Sequence, residues 1–255
     1  MRLTGPLESA ALLTALPVPA RAATSTRGVL PWAPLVGLVL GGIATGVAVA
    51  GERWISPLAG AVLGIAALAV MTRGLHLDGL ADTADGLGPL RSRERSLQVM
   101  HQSDIGPFGV VTLVLTLLLQ VACVAALLPT EAGWPALWTA VVVARLAMAR
   151  TGLPGVPIAD GSSLGSLVAG TVSAAWLAGC TLVLGALLVA AALVGAGHVA
   201  VAGWLALSGA AGLLAAETLY RRARVRLGGV TGDVMGALGE TATTDVLLVA
   251  AVAVR

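Results

Sequence analysis

The chain has 255 residues, of which 57% are hydrophobic and only 11% charged, and its mean hydropathy is +0.94. Soluble domains carry roughly a quarter charged residues, so this composition excludes an ordinary soluble protein and predicts an all-α, multi-pass membrane protein. The net charge is +2, but all 15 basic residues are arginines spread among loops without interleaved aromatic residues, which argues against nucleic-acid binding.

The N-terminal stretch "MRLTGPLESAALLTALPVPARAA" imitates a secretory signal peptide, with an early arginine, a short apolar run and an A-x-A-like site. Glu8 interrupts this pattern, and Pro17 and Pro19 end the apolar run. We therefore expect residues 1–28 to form an interfacial segment. It belongs to a single membrane-embedded domain over residues 1–255.

Seven apolar stretches are candidates for membrane spans, since a bilayer core needs about 20 apolar residues in a helix. They cover residues 31–50, 55–72, 107–128, 135–150, 166–194, 198–219 and 242–255. The fourth and the seventh are short for a complete crossing. The sequence predicts a helical bundle of about seven transmembrane helices, with polar active-site loops at one face.

Arginine positions predict the orientation of the bundle, because cytoplasmic loops are enriched in basic residues. With the N-terminus inside, 13 of the 15 arginines lie at the cytoplasmic face, and only Arg53 and Arg255 lie outside. We expect the bacterial cytoplasmic (inner) membrane and an active site that faces the cytoplasm. His198, at the outer end of a span, is expected to be structural.

Three aspartates interrupt the apolar pattern in "GLHLDGLADTADGLG" (residues 74–88). Asp78, Asp82 and Asp85 are spaced i, i+4 and i+7, which places them on one face of a helix. Like charges at this spacing repel, and carboxylates near a membrane are costly, so the cluster predicts a bound cation. Hard oxygen ligands favour Mg²⁺, Mn²⁺ or Ca²⁺ over zinc.

The arginines that follow allow two interpretations of this cluster. Arg91, Arg93 and Arg95 suit phosphate oxygens, or they pair with the aspartates on a solvated helix end. The interleaved Gly79 and Gly86 favour the first interpretation, because helical glycines are costly unless something approaches closely.

Other polar stretches lie at the same face. Ser103 and Asp104 are near a predicted helix start, where a helix-capping role is the alternative to a site role. Arg145 and Arg150 flank the end of the fourth span. "RLGGVTGDVMGALGET" (residues 226–241) brings Asp233 and Glu240 onto one face if it is helical.

The chain resembles the bacterial cobalamin synthases (adenosylcobinamide-GDP ribazoletransferases). The resemblance rests on "GLHLDGLADTADGLG", "IGPFG", "RLAM" and "GGVTGDVMGALGE" in this order, with "LTALPVP" and "PLVGLVLGG" near the N-terminus. It covers essentially the whole chain. Many members carry an acid-plus-serine pair before the "IG" turn, where this chain has Gln102-Ser103-Asp104.

The resemblance implies a Mg²⁺-dependent enzyme, with Mn²⁺ as a substitute. This enzyme transfers the adenosylcobinamide-phosphate group from adenosylcobinamide-GDP to α-ribazole or its 5′-phosphate and releases GMP. The expected metal ligands are Asp78, Asp82 and Asp85. The expected catalytic residues are Asp82, Asp85, Asp233 and Glu240. The expected substrate-binding residues are His76, Arg91, Arg93, Ser103, Asp104, Arg145, Arg150 and Thr231.

Two other functions compete with this one. "DTADG" echoes the first half of the CDP-alcohol phosphotransferase motif, which would make the protein an enzyme of lipid synthesis. A cation-coupled transporter would also need carboxylates, but transporters place them near the midplane in repeated halves, and no repeat is visible here. The oligomeric state is open, with a homo-oligomer among the options.

Overall fold

The computed structural model describes residues 4–196 and 199–253, and within these ranges it is almost entirely helical. His198, Arg2 and Arg255 lie outside the described residues. The α-helices are α1 (Gly5–Leu13), α2 (Val29–Trp54), α3 (Pro57–Met71), α4 (Leu75–Leu87), α5 (Arg93–Met100), α6 (Pro107–Leu127), α7 (Gly133–Arg150), α8 (Ser163–Val168), α9 (Ala174–Ala196), α10 (Val199–Leu227) and α11 (Gly232–Ala253).

Five of these helices (α2, α6, α9, α10 and α11) are long and apolar enough to cross a membrane. The helices α3 and α4 add a sixth if the pair is one span, although they are bent by 88° relative to each other. The multi-pass helical architecture is therefore as predicted, whereas the count of seven is not confirmed.

Three predicted spans have clearly different limits in the structure. The sixth, predicted over residues 198–219, continues to Leu227. The fifth begins at Ala174 instead of residue 166, because the short helix α8 and a turn at Gly170 (φ 65°) precede it. The seventh begins at Gly232 instead of residue 242, so the glycine-rich acidic stretch is the first half of a 22-residue helix. A sequence stretch with acids and glycines is therefore the start of a span rather than a loop.

Helix α7 covers the predicted fourth span but is not among the helices apolar enough to cross a membrane. It lies at the centre of the bundle and packs against α2, α10 and α11. From Pro135 to Ala149 every residue but Trp138 is buried. Helix α2 approaches α7 closely through Gly37 and Gly41, where an added Cβ would lie 2.6 Å from Cγ of Arg145 and 2.7 Å from Cδ1 of Trp138. This is the small-xxx-small packing of membrane helices, and it explains the glycines of "PLVGLVLGG".

The N-terminal segment is fixed to the bundle. Ser9 Oγ donates a hydrogen bond to the carbonyl of Val29 (2.8 Å), and the Gly28 N–H donates to Glu8 Oε2 (2.9 Å). Glu8 and Ser9 are both buried. Helix α1 thus packs on the start of α2, and its placement in the membrane interface stays a prediction.

Candidate active site

A sharp break between α3 and α4 turns the aspartate helix across one end of the bundle. Arg73 (φ 55°) and Gly74 (φ 67°) both adopt left-handed backbone conformations, and the chain bends by 88° there. Glycine accepts this conformation readily, whereas the arginine pays a conformational cost. Asp78, Asp82 and Asp85 are therefore carried on one 13-residue helix that does not continue the preceding span.

Helix α4 crosses the start of α11 at very short range. An added Cβ at Gly79 would lie 2.6 Å from the carbonyl oxygen of Asp233, and one at Gly236 would lie 3.0 Å from Cα of His76. Only glycine fits at Gly79, because the neighbouring atom is backbone and cannot rotate away. The crossing brings an acid of α11 beside the acids of α4.

The result is a carboxylate cluster of Asp78, Asp82 and Asp233. Asp78 and Asp233 are both close enough to Asp82 to interact electrostatically with its carboxylate. The His101 ring interacts electrostatically with Asp82 and Asp233. Asp78 is exposed, and the other two are partly buried. Such a concentration of negative charge favours binding of a cation.

Asp85 is placed differently from the other two aspartates of α4. Its side chain is 5% exposed, and its two carboxylate oxygens accept hydrogen bonds from the backbone N–H groups of Gly106 (2.8 Å) and Gly109 (3.0 Å). These N–H groups belong to the free N-terminal end of α6, so Asp85 caps α6 from another helix. The structure therefore gives Asp85 a structural role as a cap, and its role as a metal ligand stays a prediction.

A cavity of about 210 Å³ lies beside the carboxylate cluster, and we call it the site cavity. Asp233 and His101 supply polar groups at its wall, and Ser162 and Ser163 supply hydroxyls. The rest of the wall is largely apolar. It is formed by Leu12, Leu13, Val29, Leu30, Leu75, Met148, Leu164, Val168 and Met235, with His76, Thr231, Gly232 and Gly236.

The backbone in front of α11 is fixed by a parallel bridge between Ile158 and Val230. Ala159 donates to the Val230 carbonyl (3.1 Å), and Val230 donates to the Pro157 carbonyl (3.0 Å). Gly229 allows this approach, since an added Cβ would lie 2.5 Å from the Ala159 nitrogen. The glycine pair of "GGVTGD" thus positions the start of α11, and with it Asp233.

Glu240 lies two helical turns below Asp233, about 10 Å along the axis at 1.5 Å per residue. It accepts a hydrogen bond from Gln120 Nε2 (3.0 Å) and lies near Arg145, whose charge attracts it. Arg145 is buried, its Nε has no hydrogen-bond partner in the described part of the chain, and its Nη1 contacts Met148 Sδ (3.8 Å). Both residues are inside the bundle, away from the site cavity, so their predicted catalytic and substrate-binding roles gain no support from the geometry.

His76 separates these two regions. It is 2% exposed and lines both the site cavity and a small polar cavity of about 20 Å³ that contains Arg145 and Glu240. Its Nε2 has no hydrogen-bond partner among the described residues. A cavity of this size holds about one water molecule.

Four arginines lie at the C-terminal end of α4 and in the loop after it or contact this region, and we call them the arginine rim. Arg222 and Arg226 donate to the carbonyls of Leu87 (3.3 Å) and Pro89 (3.0 Å) and so hold the loop after α4. Arg91 donates to the Asp85 carbonyl (3.1 Å), and the Arg93 guanidinium packs beside Gly228. The rim consists of Arg91, Arg93, Arg222 and Arg226. Arg91 and Arg93 are exposed, as a phosphate ligand must be.

Arg150 forms its contacts with residues of α10. Its Nε pairs with Glu217 (2.8 Å), and its guanidinium lies 3.8 Å from the centre of the Tyr220 ring. These contacts join α7 to α10. They explain the presence of Arg150 without any need for a bound substrate. The prediction that Arg150 binds substrate therefore gains no support here.

The helix starts near the site are capped by residues other than Ser103 and Asp104. Ser103 and Asp104 are exposed, and Gly106 occupies the N-cap position of α6 while Asp85 supplies the oxygens. Thr231 caps α11, with its Oγ1 accepting from the Val234 N–H (3.1 Å). It also donates to Asp233 Oδ2 (3.3 Å) and so orients a member of the carboxylate cluster.

Sequence reasoning missed His101, Ser162 and Ser163 as wall residues of the site cavity. His101 stands in the same "HQSDIGPFG" stretch as Ser103, and a histidine beside a predicted acidic site was the available signal. The serines lie in "IADGSSLG", which reads as a turn from sequence alone. Only the bridge from Ile158 to Val230 brings this turn to α11.

The donor chemistry of the carboxylate cluster is compatible with a magnesium ion that takes part of its ligands from water or a substrate. Within residues 4–196 and 199–253, no three His, Cys, Asp or Glu side chains are grouped so that they would hold a metal by themselves. Mg²⁺ is usually held by one or two carboxylates, with water and substrate phosphate as its other ligands. Asp82 with Asp78 or Asp233 is such a donor set.

A helical membrane bundle with a carboxylate cluster, an adjoining cavity and arginines nearby has the charged groups that phosphoryl transfer requires, which is the class of enzyme that the site suggests. Residues 6–251 match the family of cobalamin-5-phosphate synthases, and the chain therefore belongs to this family. This match decides against the lipid-synthesis and transporter alternatives.

Known relatives agree with this membership. The chain is 36% identical to the adenosylcobinamide-GDP ribazoletransferase of Frankia casuarinae, over 95% of this chain and 92% of the relative. It is 39% identical to that of Nocardioides sp. (92% and 93%) and 33% identical to that of Chlorobaculum tepidum (98% and 95%). No solved structure matches the chain.

Proposed function

We propose that the chain transfers the adenosylcobinamide-phosphate group from adenosylcobinamide-GDP to the ribose hydroxyl of α-ribazole or its 5′-phosphate, with GMP as the leaving group. The observation that carries the proposal is the carboxylate cluster, which two glycine-lined helices hold beside a cavity in a chain of this family. Displacement at a diphosphate needs charge neutralisation and alignment more than covalent chemistry.

Asp82, together with Asp78 or Asp233, would hold Mg²⁺, with Mn²⁺ as a substitute. When bound, the ion neutralises the diphosphate and makes its phosphorus easier to attack. Asp85 supports the reaction indirectly, because its cap fixes α4 to α6. Arg91 and Arg93 on the arginine rim would bind the phosphate of the departing GMP, since guanidinium forks match phosphate oxygens.

The site cavity receives the acceptor. Its apolar wall suits a flat aromatic base, and excluding water there protects the activated phosphate from hydrolysis. The arginine-rich end of the bundle carries the site, so the enzyme faces the cytoplasm from the bacterial inner membrane with its N-terminus inside.

The test uses purified protein in detergent or liposomes, given adenosylcobinamide-GDP and α-ribazole with Mg²⁺ or with EDTA. We expect Mg²⁺-dependent GMP matched one-to-one by cobalamin. The same assay with α-ribazole 5′-phosphate identifies the better acceptor. GMP without a corrinoid product would mean hydrolysis and would contradict the proposed transfer.

A matched pair of variants tests the site. Asp82→Asn should remove about 99% or more of the turnover while the thermal midpoint stays at or above that of the wild type. Asp160→Asn makes the same change at an exposed position outside the site and should leave turnover intact. Equal activity in both variants would mean that the cluster holds no catalytic ion.

A further inference from the structure

The transfer needs a proton acceptor. When the acceptor hydroxyl attacks phosphorus, its O–H bond breaks as the new P–O bond forms, and the P–O bond to GMP breaks. The GMP phosphate leaves as an anion and needs no proton at neutral pH. The hydroxyl proton must therefore pass to a group at the site. Each residue that the sequence suggested for this role is already bound to another group or is buried.

The carboxylates are poor candidates for this role. Asp82 and Asp233 would lose their basicity to the cation that they hold, and both Asp85 oxygens already accept hydrogen bonds. Glu240 is hydrogen bonded to Gln120 inside the bundle. His76 lines the site cavity as well, but its side chain is only 2% exposed, so it offers the proton no direct path to solvent.

His101 is placed differently from all of these. It directly follows α5, is exposed, and lines the site cavity. The charges of Asp82 and Asp233 act on its ring, so it lies beside the carboxylate cluster. It therefore faces both the metal-binding acids and the space for the acceptor.

The hydrogen bond of His101 also fixes its tautomer. Its Nδ1 lies 2.7 Å from the carbonyl oxygen of Leu97. A carbonyl can only accept, so Nδ1 must carry the proton in this contact. In the neutral ring, Nε2 then has a free lone pair, held in orientation by the backbone of α5.

We propose that His101 Nε2 is the general base that takes the proton from the acceptor ribose hydroxyl. The inference rests on the proposed function and adds a catalytic residue to it. The Leu97 carbonyl stabilises the resulting imidazolium through Nδ1–H. The proton then leaves to solvent from the exposed ring.

The decisive variant is His101→Asn. The Asn side-chain amide takes the place of Nδ1–H and can still donate to the Leu97 carbonyl, but it offers no base. We expect kcat to fall by about 10²- to 10⁴-fold, which is the usual contribution of a general base, while KM for both substrates stays within roughly threefold. The control Gln102→Asn changes the exposed neighbour and should keep wild-type kcat.

Chemical rescue separates a base from a structural residue. His101→Ala should regain at least roughly tenfold in rate with added imidazole, whereas Asp82→Asn should regain none. A His101→Asn enzyme within threefold of the wild-type kcat, or a His101→Ala enzyme that imidazole does not rescue, would overturn the proposal. A wild-type enzyme that makes no cobalamin would instead refute the proposed function itself.

Discussion

Replacing Asp85 tests whether the third aspartate of α4 is structural. In Asp85→Ala the N–H groups of Gly106 and Gly109 both lose their acceptor, and Gly109 is buried. A lost cap costs about 0.5–2 kcal/mol, and a buried unsatisfied donor costs about 1–3 kcal/mol. We therefore expect a loss of about 2–4 kcal/mol, equivalent to roughly 5–15 °C in thermal midpoint for a chain of this size.

Asp85→Asn should fall between the alanine variant and the wild type. Its single amide oxygen can serve one of the two N–H groups, while its NH₂ faces the other donor, so about half of the stabilisation remains. The thermal midpoint in detergent, measured beside GMP release, checks both effects. We expect measurable turnover in Asp85→Asn, because the carboxylate cluster of Asp78, Asp82 and Asp233 is intact.

The opposite pattern would refute this reasoning. If Asp85→Asn kept the wild-type midpoint but lost all turnover, Asp85 would act on the cation or the substrate. Asp82→Asn provides the reference for such behaviour, since it removes a member of the cluster without removing a cap.

Three further outcomes are expected. Gly79→Ala places a Cβ 2.6 Å from the Asp233 carbonyl oxygen, so it should lower the stability by about 1–3 kcal/mol and remove most of the activity. The control Gly46→Ala has open space around it and should be neutral in the same thermal and turnover assays. Arg145→Met leaves Glu240 without its nearby cation and should lower the thermal midpoint, and adding Glu240→Gln should recover part of the loss. A double variant no more stable than Arg145→Met would contradict this. Mg²⁺ at about 100 times its Kd should stabilise the wild type by about 2.7 kcal/mol and Asp82→Asn far less, measured as the shift in thermal midpoint.

The sequence predicted correctly which residues share a helix. The i, i+4 and i+7 spacing of Asp78, Asp82 and Asp85 does lie on one helix, as does the pair Asp233 and Glu240. Periodicity determines the face of a helix on which a residue lies, and that much is local.

What each face meets is not local, and the sequence could not predict it. Asp85 meets α6 because the loop over residues 101–106 returns the chain to α4, and Glu240 meets Gln120 across 120 residues of sequence. Arg150 has an acid partner on α10, which no spacing rule connects to α7. Tertiary contacts of this kind decide whether an acid or a base is a ligand, a cap or a packing residue.

The glycines gave the most information about the site and were the hardest to interpret. Gly79 predicted close approach by a ligand or a helix, and the structure shows that the neighbour is the backbone of Asp233. This contact has an electrostatic consequence, because it brings Asp233 near enough to Asp82 for the two negative charges to repel. The packing of α4 on α11 and the Asp85 cap on α6 oppose that repulsion. The glycines and the cap are therefore as necessary to the site as the acids that would bind the metal.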